Sequence, residues 1–139
     1  MKYKRCDNKV IVRIDKGEEI VESLKTICQQ LHIKLGTITG IGATNNVTIG
    51  LLDTKTKKYQ SKEFTGDHEI APLCGNITTM NGEMYLHLHI NICNAEHHSL
   101  GGHLTKAIIS VTFEGVIDII DGEVNRAADH NTGMNLLNL

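Results

Sequence analysis

The feature that most constrains the fold is a change of hydrophobic period near residue 35. Before it, Ile20, Val21, Leu24, Ile27, Cys28 and Leu31 recur at helical spacing, with Glu22, Lys25, Gln29 and Gln30 on the opposite side. That stripe predicts an amphipathic helix laid on a sheet, with Cys28 inside the core. Asp15 followed by Glu18 resembles a capping box at its start. After residue 35 the period falls to two and β-branched residues dominate. The runs are Thr37 to Ile41, Val47 to Leu52, Lys58 to Phe64, Ile70 to Thr79, Met84 to Cys93 and Ile108 to Ile120. Lys9 to Ile14 reads as a further strand ahead of the helix. The expected class is α+β: a mainly antiparallel twisted sheet carrying one long amphipathic helix, in a single compact domain over residues 1–139.

Two local signals sharpen this. Asn81-Gly82 lies between alternating runs and predicts a tight hairpin pairing Ile70 to Thr79 with Met84 to Cys93. The Gly40-Ile41-Gly42-Ala43 segment lacks the third glycine of a dinucleotide loop and leads into a strand, so it reads as a bend or bulge.

Composition then excludes whole classes of function. The chain has no Trp, three Tyr and two Phe, too few rings to stack nucleic-acid bases. Fourteen Lys and Arg against sixteen Asp and Glu give a formal charge of −2, which supplies no general field for phosphate backbones. Lys55, Lys57, Lys58 and Lys62 cluster, and a solvated hairpin accounts for them. The four cysteines are widely separated, without a Cys-x-x-Cys pair, and no apolar leader or membrane-length run is present. The expectation is a cytoplasmic protein with reduced thiols.

Chemistry concentrates in Met84-Tyr-Leu-His-Leu-His-Ile-Asn-Ile-Cys93. Strand alternation puts Tyr85, His87, His89, Asn91 and Cys93 on one face, with the two imidazoles about 7 Å apart at Cα. From that separation both can reach one metal ion about 2.0–2.1 Å from each nitrogen. His103, after Gly101 and Gly102, is the natural third ligand, leaving a position open as in catalytic zinc sites. Half-buried, hydrogen-bonded sheet histidines are the other reading of the same residues, and His97, His98 and Cys93 compete as donors. Glu114, in the alternating Ser110, Thr112, Glu114 set, is a candidate general base or a solvated strand-end charge. Arg126 is a candidate anion clamp, or a partner of Asp129 pinning the C-terminal segment.

Taken in order, several segments resemble the PPC (plants and prokaryotes conserved) domain of prokaryotes from near one end of the chain to the other. They are Asp15 to Glu19, Gly40 to Ala43, Phe64 to Ile70, Leu73 to Ile77, Leu86-His87-Leu88-His89, Gly101-Gly102-His103-Leu104, Thr112 to Glu114, and Arg126 to Asp129 with Thr132-Gly133. The resemblance implies an α+β homotrimer with a divalent metal, zinc first, on His87, His89 and His103. It also implies a DNA-binding or regulatory label, taken from relatives with an AT-hook that this sequence lacks. The alternative function is a metal-dependent, hydrolase-like enzyme for a small polar or anionic substrate, with Glu114 and Arg126 as the candidate catalytic residues. The resemblance implies further copies of the chain as partners; DNA is a second partner class, which the charge does not support, and a small-molecule ligand belongs to the enzyme alternative.

Overall fold

The structure, a computed structural model, describes residues 1–139. Its elements in chain order are β1 (Lys2–Cys6), β2 (Lys9–Asp15), α1 (Ile20–Gln30), β3 (Gly36–Asp53), β4 (Lys58–Met80), β5 (Glu83–Cys93), β6 (Ser99–Ile119), β7 (Arg126–Asp129) and β8 (Met134–Leu137). Six strands form one antiparallel sheet in the order β1-β2-β6-β3-β4-β5, and β5 also pairs with β6. That extra pairing joins β3, β4, β5 and β6 into a ring. β7 and β8 form a separate hairpin.

The expected fold class needs correcting. Strands take up 68% of the residues and helix only 8%, so this is a β protein with one short helix rather than a sheet covered by a long one. α1 has 11 residues, a length of roughly 16 Å. Glu19 caps it, accepting from the Glu22 N–H, while Leu31 closes its other end. Beyond it His32 takes a left-handed φ of 53° and Ile33 returns to Cys28 through its N–H, so the chain leaves the helical path at once. The Asp15 and Glu18 signal is real but local. Glu18 accepts from the Asp15 N–H and closes the turn ahead of the helix.

The helix buries Ile20, Leu24, Ile27 and Cys28 in one core cluster with Val10, Val12, Ile14, Ile90, Ile92, Ile109, Phe113 and Ile117 of the sheet. Burial pushes the Cys28 thiol up to about 12, so it is a core residue and not a nucleophile. Long strands replace the separate runs read from the sequence. β3 passes through Gly40-Ile41-Gly42 and Thr44-Asn45-Asn46 with shifts of register, which are the β-bulges expected at the first of these sites. A Cβ on Gly42 would overlap the Thr112 carbonyl on β6, which explains the glycine. The Asn81-Gly82 turn is as predicted: both residues have positive φ, 54° and 81°, and Thr79 pairs with Met84 across it. No helix is long and apolar enough to cross a membrane.

Candidate metal centre

Register brings the three histidines together. His89 on β5 sits directly opposite His103 on β6, and His87 lies two residues back on the same face of β5, opposite Asn76 of β4. Leu88 and Ile90, which alternate with them, are buried in the core, so the pleat fixes the outward direction of both imidazoles. The ring centroids are 5.2 Å apart for His87 and His89, 5.3 Å for His87 and His103, and 5.6 Å for His89 and His103. One ring nitrogen from each lies within 4.8 Å of the other two.

Small residues make this approach possible. Gly102, immediately before His103, would place a Cβ 2.7 Å from Ile49 Cγ2 and 2.9 Å from the Gly50 carbonyl, so only glycine lets β6 lie this close to β3. The paired glycines serve close packing within a strand rather than a turn. Gly50 itself leaves room for Tyr59, since a Cβ there would overlap the Tyr59 hydroxyl. The Tyr59 ring then stands edge-on to His103 at 6.1 Å and limits the rotamers of that imidazole.

Burial holds the His87 imidazole below its ordinary range, helped by the positive charge of Arg126 and by His103 and His89. Burial, then His89, does the same to His103. Both are therefore neutral near pH 7, the form in which imidazole binds a metal.

The histidines form the floor of a cavity of about 510 Å³, walled by Leu51, Lys57, Tyr59, Tyr85, Arg126, Met134 and Asn135 among others. Arg126 reaches it from β7. Its guanidinium donates through Nε to Thr78 Oγ1 (2.9 Å), through Nη1 to the Asn135 carbonyl (2.8 Å) and through Nη2 to Asn76 Oδ1 (2.7 Å), and lies 4.8 Å over the Tyr85 ring. The expected Arg126 to Asp129 pair does not form. Asp129 instead accepts from the Thr132 N–H and hydroxyl, which closes the β7–β8 turn.

The other sequence candidates lie elsewhere. Glu114 is exposed on β6 opposite Arg13, in a groove with Lys2 and Lys4, eleven residues along the strand from His103. His97 and Cys93 line a different hollow, with His68 and Ser110. Lys55, Lys57, Lys58 and Lys62 are exposed, as a solvated hairpin requires, and Lys57 alone of the four borders the histidine cavity. Sequence reasoning missed Tyr59 and Tyr85. Tyr85 was already placed on the histidine face by alternation, but nothing local connects Tyr59 to residues more than forty positions away.

The family model of the Plants and Prokaryotes Conserved (PCC) domain matches residues 1–121. Among solved structures, the chain is similar to a protein of Bacteroides thetaiotaomicron provisionally described as DNA-binding, with 37% identity and a TM-score of 0.96 over 99% of this chain and 96% of that one. It is similar to a plant- and prokaryote-conserved (PPC) protein of Pyrococcus horikoshii at 26% identity and TM-score 0.86, over 99% and 94% of the two chains. A metal-containing protein of Archaeoglobus fulgidus is 25% identical with TM-score 0.88, over 99% and 97%. No curated protein matches the chain.

Proposed function

The chain belongs to the Plants and Prokaryotes Conserved domain family, and from that premise we propose that it binds one divalent metal ion through His87, His89 and His103, with zinc the first candidate. The observation that carries this is the clustering of three ring nitrogens within 4.8 Å of one another on strands whose packing fixes them. Side-chain adjustment alone brings such a set to about 2.0–2.1 Å from an ion. The donors fit the group: three imidazoles, in a cavity lined by no Cys, Asp or Glu, suit zinc, copper, nickel or iron. The metal-containing Archaeoglobus relative supports the same reading. An ion there would supply Lewis acidity toward whatever enters its open position from the cavity.

A binding or regulatory role is favoured over a hydrolase. No Asp or Glu lines the cavity and Glu114 lies in another groove, so the chain offers no carboxylate to serve as general base there. The DNA-binding description belongs to the relatives that carry it. Here the formal charge is −2, and Lys9 and Arg13 are paired with Asp118 and Asp15.

Zinc added to metal-free protein is expected to raise the melting midpoint by several degrees and to saturate at one ion per chain. At a free concentration of a hundred times Kd the stabilisation is about 2.7 kcal/mol. The His103→Ala variant is expected to show no such rise. An unchanged midpoint in the wild type rejects the assignment.

Self-association as a homotrimer is part of the proposal. Ile41 and Val111 are 64% and 68% exposed, apolar surface that a lone chain leaves in water and a subunit contact would cover. Light scattering is expected to give the mass of three chains, and a mass of one chain contradicts it.

A further inference from the structure

We propose that the cavity over the three histidines receives a small-molecule oxyanion, a carboxylate or a phosphate, with Arg126 gripping the anionic group beside the metal. The inference deepens the metal-binding reading and rests on it.

Arg126 is only 7% exposed, yet no carboxylate lies within ion-pair distance of it. Its three acceptors, Thr78 Oγ1, the Asn135 carbonyl and Asn76 Oδ1, are all uncharged. A buried cation without a counter-charge is costly, and interiors seldom keep one unless something supplies the opposite sign. The walls of the cavity do not supply it: Lys57 and Arg126 border it, and no Asp or Glu does. Adding a divalent ion on the histidines makes this hollow more positive still, so the missing charge must come from the occupant.

The donors suit an oxyanion. A guanidinium has five N–H groups, and three are bonded here, which leaves two, the number that a carboxylate or phosphate takes in a forked contact. Tyr85 beneath the guanidinium at 4.8 Å, with the bonds to Thr78 and Asn76, holds its plane fixed before any ligand arrives. At about 510 Å³ the hollow exceeds what an inorganic ion fills, and Leu51 and Met134 give it an apolar side. The anion is therefore the head of a larger molecule with an apolar body.

The test titrates zinc-loaded protein with inorganic phosphate, with benzoate, and with benzamide as the uncharged control, following the Arg126 Nε–H resonance and the β5 amides by NMR. The expected result is a saturable shift with phosphate or benzoate and none with benzamide. Whichever anion saturates at the lower concentration identifies the source of the oxyanion. The Arg126→Lys variant, which keeps the charge and loses the fork, is expected to bind that anion at least about tenfold more weakly while its zinc content per chain is unchanged. Absence of a saturable shift with either anion, in protein shown to carry zinc, overturns the proposal, as does equal affinity in Arg126→Lys. Should that variant not fold, the wild-type Arg126 resonance decides alone. Should the wild type carry no zinc, the metal reading fails separately, and the same titration of zinc-free protein still reads Arg126: a saturable shift supports the clamp and none overturns it.

Discussion

Replacing Phe113 by Ala is expected to destabilise the protein by about 3–5 kcal/mol, a large share of the roughly 5–15 kcal/mol that holds a domain folded. Phe113 is fully buried in the middle of β6. Its ring lies over Gly40 of β3, where a Cβ would overlap it, and within 2.9 Å of where a Cβ on Gly115 would stand. The ring thus fills the space that two glycines leave open on adjacent strands. Phe113 is the one aromatic ring among the buried core residues, so the side chains left to close over the gap are aliphatic. Urea denaturation measures this directly: the midpoint should fall with an unchanged slope. A loss below about 1 kcal/mol would mean that the strands close over the gap, and that the glycines were not holding space for the ring.

The second large effect concerns the site. His89→Ala is expected to weaken zinc binding by at least about a hundredfold, because residues that merely support a ligand already cost 10–100-fold when lost. The same change should alter the stability of the metal-free protein by no more than about 0.5 kcal/mol, since His89 is exposed. Competition titration against a chelator of known affinity separates the two effects. His97→Ala and Cys93→Ala serve as controls. Both residues line the neighbouring hollow, so their affinity for zinc should match the wild type. Equal weakening in the His97 variant would move the ligand set to the loop and contradict the strand geometry.

What could be read from the sequence was whatever rests on short-range order. Alternation in β5 put His87 and His89 on one face, Asn81-Gly82 set the hairpin that brings β4 beside them, and the Ile20 to Cys28 stripe found the helix. Its short length was harder to see, because Leu31 continues the apolar stripe although it is the residue that caps the helix. The Thr112, Glu114 alternation identified a strand face but not its position along β6, so Glu114 was grouped with a site it does not reach. β1 escaped notice because all five of its residues are exposed and show no apolar alternation. The role of Arg126 was hidden for a different reason: its acceptors Thr78 and Asn76 lie 48 and 50 residues away, joined to it by the path of the β7–β8 hairpin. Tyr59 over Gly50 is a contact within the β3–β4 hairpin, yet the vacant space above a glycine leaves no pattern in the sequence. Contacts that decide the chemistry of the cavity are thus long-range; the alternation that sets His87 beside His89 is local, whereas the packing of Gly102 against Ile49 and Gly50 that seats His103 is not.

The central claim is that His87, His89 and His103 hold a metal ion, and the most direct measurement is elemental analysis of untagged protein purified without added metal, alongside the three single Ala variants. About one zinc-class ion per chain in the wild type, and little or none in each variant, is the predicted result. A wild type free of metal even after incubation with zinc would contradict it and leave the three imidazoles as polar lining of the cavity alone.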